Sequence, residues 1–236
     1  MTEMPPLALL AGGLATRLGD LTKQTPKAML EVAGEPFIAH QLRLLRRERV
    51  PRVVICAGYL AEQIQAYVGD GGQFGLPVTY KTDGPRLLGT GGALRAVLGE
   101  LGDEFLVMYG DSWLDIPYAP VVDAFRRSGQ PALMTVFRNE GQWDTSNVWF
   151  ENGHIRLYDK RERLSQMRHI DWGLSMIRSE ALAARPAGEP FDLGDFYSDL
   201  SRQGKLAGYE VTTRFYEIGS AAGLEETDAL LRSQSL

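Results

Sequence analysis

Cysteine is almost missing from this chain. Cys56 stands alone among 236 residues, which excludes an intramolecular disulfide and fits a reducing compartment. Its setting, Val53-Val54-Ile55-Cys56, reads as a buried strand, so a small core thiol is expected rather than a nucleophile. Basic charge is also short: 25 Lys and Arg face 30 Asp and Glu, for a formal net charge of −5. No global positive field exists to attract nucleic acid. No apolar run reaches the ~18 residues of a membrane span. The start, Met1-Thr2-Glu3-Met4-Pro5-Pro6, lacks the basic opening of a secretory signal. A cytoplasmic protein without membrane partners is the expectation. His40, His154 and His169 are not spaced as a metal set and have no cysteine beside them, which argues against zinc. The hydrolase elbow Gly-x-Ser-x-Gly is absent. So are the dinucleotide loop Gly-x-Gly-x-x-Gly and the Gly-Lys-Ser/Thr ending of a P-loop.

A different glycine loop is present. Leu7 to Leu10 forms an apolar run that reads as a buried first strand, continues through Ala11 and breaks at Gly12-Gly13, with Thr16 and Arg17 following. Lacking Cβ atoms, Gly12 and Gly13 let backbone N–H groups approach a phosphate closely. Arg17 supplies a fork of donors suited to phosphate oxygens, and Lys27 a mobile point charge. Two cations and a glycine turn after one strand suit a triphosphate.

Strand and helix patterns alternate through the first half: helix from about Pro36 to Glu48, strand 52–56, helix 61–68, strand 78–80, a helix capped by Thr90 and running to about Leu98, and strand 104–108. Such alternation indicates an α/β fold with a largely parallel sheet covered on both faces. Ligands then sit beyond the carboxyl ends of the strands, where the glycine loop and Asp111 both fall. Asp111 follows an apolar strand directly and is placed to hold Mg²⁺, which takes one or two carboxylates plus phosphate oxygens and water. In the second half, Asn152-Gly153 is a type I′ hairpin signal between strands 148–151 and 154–158. Further strands are expected at 170–177 and 206–211, and a closing helix from about Gly223 to Leu231. The 185–190 loop reads as a surface connection. Without repeats or a low-complexity linker, residues 1–236 read as one domain, with a nucleotide-binding half to about residue 112 and a substrate-binding half from 113.

Gly12-Gly13-x-x-x-Arg17-Leu18 joined with Pro26-Lys27-x-x-Leu30 closely resembles the signature of the sugar-1-phosphate nucleotidyltransferases. The resemblance runs from Leu9 to about Leu231 and implies a Rossmann-like three-layer α/β/α domain with a mixed, mostly parallel sheet. It implies transfer of a nucleotidyl group from an NTP to a sugar 1-phosphate, with Mg²⁺ as cofactor and homo-oligomers allowed. Carried over by position, Leu10, Ala11, Gly12 and Gly13 hold the nucleotide, while Arg17 and Lys27 are catalytic. Tyr109-Gly110-Asp111 matches the metal-binding Gly-Asp. Glu217 stands where the family usually has the second metal-binding aspartate. Gly89-Thr90-Gly91-Gly92-Ala93-Leu94 resembles the segment that lies against the base, with Asp83 the nearest polar candidate for reading it. On the acceptor side, Asp159-Lys160 resembles the family's Glu-Lys pair, and Asp171-Trp172-Gly173 the Asn-x-Gly segment against the sugar. Asn147 or Ser146 falls at a third sugar contact. Among single-domain branches the chain is most similar to heptose-1-phosphate guanylyltransferases and muramate-type uridylyltransferases. Glu217 also suits a phosphocholine-type cytidylyltransferase, and a non-catalytic nucleotide-sugar sensor is the reading from a different class.

Overall fold

The protein was analysed as a computed structural model, which describes residues 2–13, 18–19, 22–58, 60–82, 84 and 86–234. Strands β1 (Leu7–Ala11), β2 (Glu31–Val32) and β3 (Glu35–Pro36) precede helix α1 (Phe37–Arg47). Next come β4 (Val53–Ala57), α2 (Ala61–Val68), β5 (Val78–Thr82), α3 (Gly89–Ala96), α4 (Leu98–Leu101), β6 (Glu104–Tyr109) and β7 (Ser112–Trp113). The second half holds α5 (Ala119–Ser128), β8 (Ala132–Arg138), β9 (Val148–Glu151), β10 (His154–Tyr158), β11 (His169–Arg178), α6 (Ser179–Ala183), α7 (Leu193–Arg202), β12 (Leu206–Val211), β13 (Tyr216–Glu217) and α8 (Ala221–Gln234).

Nine strands form one sheet in the order β5-β4-β1-β6-β11-β8-β12-β10-β9. The first four are mutually parallel, β11 runs antiparallel to both β6 and β8, and β12 is parallel to β8. The sheet is therefore mixed with a parallel core, and it runs through both halves of the chain. β1 is buried on both faces, which is why its sequence is continuously apolar rather than alternating. Leu7 and Leu9 pack with Ile38, Leu42, Ile64, Val121 and Phe125 from α1, α2 and α5. Ala8 and Leu10 pack with Leu94, Leu101, Leu182, Phe196 and Leu200 from α3, α4, α6 and α7 on the opposite face. Three layers result.

The expected hairpin is present, with Asn152 at φ 51° and Gly153 at φ 79° as a type I′ turn requires. Helices α5 and α7 and strand β8 carried weaker local signals and emerge only here. Strand β8 is a buried interior strand whose one polar core residue, Thr135, donates to the carbonyl of Leu174 at 2.6 Å. Thr90 is not the cap of α3, as its sequence position suggested. That helix starts at Gly89 without a side-chain cap, and the Thr90 hydroxyl instead accepts from Leu193 N at 2.9 Å.

The 185–190 connection also does more than cross the surface. It delivers Phe191, whose carbonyl accepts from Gly91 N at 3.0 Å, while a Cβ built on Gly91 would overlap the Phe191 ring. Replacing an interior helical glycine with alanine normally stabilises by roughly 0.5–1 kcal/mol. Gly91→Ala is expected to reverse that sign and destabilise by ~1–3 kcal/mol, the usual range for overpacking. Urea unfolding of the variant checks this, and a gain in stability would remove the tight α3–Phe191 contact.

Candidate active site

Beyond the carboxyl ends of β1, β4 and β6 lies a cleft of ≈ 340 Å³. Leu10, Ala11, Gly12 and Gly13 form one wall, and Gly89 and Thr90 of α3 form another. The two loop glycines differ in role. A Cβ on Gly12 would come within 3.2 Å of Gly58 N, so Gly12 lets the loops after β1 and β4 touch. A Cβ on Gly13 meets nothing within 4 Å, which leaves the backbone there open to a ligand. Cys56 is 4% exposed, as its strand context predicted, and its strand end contributes to the cleft wall. Arg17 and Asp83 lie outside the described residues.

The glycines of the Gly89–Gly92 segment turn inward. A Cβ on Gly89 would sit 2.7 Å from Phe191 O, and one on Gly92 3.0 Å from Glu189 O. The close approach they permit is between this helix and the segment before α7. The segment still borders the cleft through Gly89, Thr90 and Ala93.

At the cleft's inner end, Lys27 Nζ lies 2.9 Å from Asp111 Oδ2. Lys27 opens a single 3₁₀ turn set by Pro26, and Asp111 follows β6 through Gly110, whose N–H donates to Leu10 O at 2.8 Å. Fully buried Gln41 holds this turn from below, donating to Tyr109 O at 3.0 Å and Ser112 O at 2.9 Å. Glu217 arrives from the far end of the chain. It pairs across from Ser112, and Ile218 N donates to Asp111 O at 2.9 Å. Gly219 N and Ser220 Oγ orient its carboxylate at 3.2 and 3.3 Å. A Cβ on Gly219 would collide with Glu217 Oε2 and lie 3.5 Å from Lys27 Nζ. Gly219 thus leaves room between the Glu217 carboxylate and the Lys27 ammonium.

Tyr109 separates this cleft from a second cavity of ≈ 360 Å³ and lines both. Asn147, Lys160, Asp171, Gly173 and Glu217, from four stretches of sequence, line the second cavity together. The pairing of β11 with β8 slips between Asp171 and Ser175, and Gly173 takes φ 104°. This irregularity delivers Asp171 to the cavity. Asn147 Oδ1 accepts from Asp171 N and Asp171 Oδ1 from Gly173 N, both at 3.0 Å. Burial pushes the Asp171 carboxyl above the ordinary aspartate value, against the opposing pull of Lys160. Burial also keeps the Tyr109 phenol far above its usual value, so it stays protonated. Trp172 is core, 1% exposed, with its indole N–H on Thr213 O at 2.8 Å.

Asp159 does not join its neighbour Lys160 in this cavity. Its carboxylate accepts from Arg161 N at 2.8 Å, Glu162 N at 2.9 Å and the Arg202 guanidinium at 2.6 Å. Those bonds hold its carboxyl below the usual range, the Glu162 N–H first among them. A carboxylate so engaged stabilises the turn after β10. Ser146, the alternative to Asn147, is also occupied internally, accepting from Gly141 N at 3.2 Å.

Three contributors escaped the sequence reading. Gln41 is a polar residue on the apolar face of α1, a detectable signal. Asp192 caps α7, accepting from Gly194 N at 2.7 Å, and Ser, Thr, Asp or Asn before an apolar run is the ordinary helix-start signal. Arg214 had no signal: it stacks between Trp143, 3.5 Å from the ring centre, and Tyr216, at 4.6 Å, and pairs with Glu226. Among the described residues no three His, Cys, Asp or Glu side chains gather as a metal centre, and no helix is long and apolar enough to cross a membrane.

The sequence profile of the family described as nucleotidyl transferase matches residues 8–146. The N-acetylmuramate alpha-1-phosphate uridylyltransferase of Caulobacter vibrioides is 30% identical over 222 residues, 88% of this chain and 89% of that protein. The UTP–glucose-1-phosphate uridylyltransferase of Synechocystis is 26% identical, and the chain spans 58% of its length. In fold the chain is similar to HddC from Yersinia pseudotuberculosis, crystallised with GMP-PN, at a TM-score of 0.81 and 19% identity over 97% of this chain and all of that one.

The raised Asp171 carboxyl fixes a sign for stability. The unfolded chain releases this proton near the ordinary value of about 3.9, whereas the folded chain releases it higher. Stability is therefore lost as pH rises through that window. Asp171→Asn keeps an acceptor for Gly173 N and is expected to raise Tm at pH 7 by ~2–4 °C, the response of such a domain to about 1 kcal/mol. The gain shrinks below about pH 4. Calorimetry across pH checks this, and an unchanged or lower Tm at pH 7 would contradict the assignment.

Proposed function

Because the chain belongs to the nucleotidyl transferase family, we propose that it joins an NTP to a sugar 1-phosphate, forming an NDP-sugar and releasing pyrophosphate. The observation that carries this reading is the Lys27–Asp111 pair, 2.9 Å apart at the inner end of the nucleotide cleft. Glu217 lines the neighbouring cavity, and its strand pairs with Ser112 next to Asp111. An ammonium and two carboxylates between an open glycine backbone and a hydroxyl-binding cavity suit phosphate chemistry between two anionic substrates.

In this reading the triphosphate lies along Gly12 and Gly13 with its base toward Gly89 and Thr90. The acceptor enters beside Asn147, Asp171 and Gly173, its phosphate toward Lys160. An oxygen of the sugar phosphate attacks the α-phosphorus, the bond to the β-phosphate oxygen breaks, and pyrophosphate leaves with its electrons. The attacking oxygen is already ionised, so no general base is needed. Alignment and charge neutralisation carry the rate. Lys27 neutralises charge developing on the leaving pyrophosphate, aided by Arg17 of the same glycine loop. Lys160 offsets repulsion between the two phosphates. Asn147 holds Asp171, which accepts from sugar hydroxyls.

Enzymes of this family generally use a divalent metal, and the donor set here fits one. Asp111 and Glu217 are hard oxygen ligands, two in number, which suits Mg²⁺ because that ion keeps waters and substrate phosphates in its shell. They would hold it against the α-phosphate, where its charge stabilises the transferring group.

A choline-phosphate acceptor is disfavoured by one feature. The ring pair Trp143 and Tyr216, which a quaternary ammonium would occupy, is already filled by Arg214. The similar uridylyltransferases of glucose 1-phosphate and N-acetylmuramate alpha-1-phosphate favour UTP and a hexose 1-phosphate; GTP and a heptose 1-phosphate are the alternative that the motif resemblance offers.

A matrix of four NTPs and dTTP against sugar 1-phosphates and phosphocholine, with Mg²⁺, reads both preferences at once. Pyrophosphate is expected only when nucleotide, metal and phosphorylated acceptor are all present. Silence across the matrix with intact nucleotide binding would replace the enzyme by a sensor. Glu217→Gln and Asp111→Asn are each expected to lower kcat by about 100-fold or more, on the scale of losing one preorganised charge-stabilising group. The double variant should cost little more, since the pair acts as a unit. Wild-type metal dependence in Glu217→Gln would remove Glu217 from the site.

A further inference from the structure

Asp192 lies between the nucleotide cleft, which it lines, and Lys160, with which it shares a separate surface cavity. Lys160 also lines the acceptor cavity. The two Asp192 oxygens divide the work. Oδ2 accepts from the Thr90 hydroxyl at 3.3 Å, and that same hydroxyl accepts from Leu193 N. Oδ1 accepts from Gly194 N and lies 3.8 Å from Lys160 Nζ. The segment carrying Asp192 is pinned to α3 by the Phe191 carbonyl. Space for the lysine is built in: a Cβ on Gly194 would lie 3.2 Å from Lys160 Nζ and 2.7 Å from Asp192 Oδ1.

Resting on the reading above, we propose that Asp192 is a positioning residue that ties the nucleotide-side hydroxyl of Thr90 to the acceptor-side ammonium of Lys160. It touches no reacting atom. It holds Lys160 at the rim, with its head over Gly194, until an acceptor phosphate replaces the carboxylate as the stronger partner. Nucleotide binding against Thr90 stiffens the same link, so the second substrate meets a lysine already in place. A plain helix cap would have neither consequence.

Two variants separate these roles. Asp192→Asn keeps a capping oxygen, since asparagine caps as well as aspartate, but removes the charge facing Lys160. Gly194→Ala favours the helix through its backbone while placing a methyl group where the lysine head sits. Both are expected to fold with Tm close to wild type, to raise KM for the sugar 1-phosphate about tenfold, and to leave KM for the NTP within twofold. In a Lys160→Ala background Asp192→Asn should add no further loss. The proposal is overturned if both variants keep the wild-type acceptor KM. It is equally overturned if they weaken both substrates alike, or if Asp192→Asn adds its full effect without Lys160. A wild-type protein silent toward every NTP and acceptor would sink the parent reading and this one with it, whereas normal turnover with unshifted variants sinks this one alone.

Discussion

The site depends on a very short piece of sheet. Strands β7 and β13 pair over two residues each, yet that pairing brings Glu217 beside Asp111 across nearly half of the chain. Backbone hydrogen bonds are directional and obligatory when buried. The bond from Ile218 N to Asp111 O therefore sets where the Glu217 side chain starts. Gln41 fixes the other side of the same turn through two carbonyls. The wall of the acceptor cavity, Phe215 to Glu217, hangs from the same pairing. Loss of this contact would free the Glu217 strand from the turn that carries Asp111 and loosen the cavity wall it forms.

Close backbone approach is the second constraint, and it gives the glycines two different jobs. Gly12 meets Gly58, Gly110 packs on Ala11, and Gly91 receives the Phe191 ring. In each case a Cβ would force apart two segments that border the nucleotide cleft. Gly13, by contrast, faces open space. A glycine motif read only as a ligand cradle therefore misses half of its physical purpose. The rest of that purpose is to let the loops over the sheet edge converge tightly enough to form a cleft at all.

The second cavity is built on an irregularity. The slipped register of β11 releases Trp172 and Gly173 from the regular ladder with β8, and the Asn147 side chain accepts from the N–H of Asp171 at the edge of that break. A buried carboxylate at such a point costs stability, and sites of function are where such costs are usually kept. Adjacent residues need not share a fate. Lys160 lines the acceptor cavity, while Asp159 turns back to close its own loop and meet Arg202.

Much of this was legible in the residues alone. The continuous apolar run of β1, the alternation of strands and helices, the Asn152-Gly153 hairpin and the Gly-Asp ending of β6 are local patterns set by burial, backbone freedom and turn chemistry. They placed the glycine loop and Asp111 together beyond the strand ends, where the cleft lies. The tertiary structure alone decided how β8 enters the sheet, that the Glu217 strand pairs beside Asp111, that Asp171 shares a cavity with Asn147 while the Asp159 carboxylate is taken up by its own turn and Arg202, and that Arg214 fills the gap between Trp143 and Tyr216. Those outcomes depend on contacts between residues distant in sequence. No local periodicity encodes them, because the free energy that selects them arises only when the packed sheet brings the segments together.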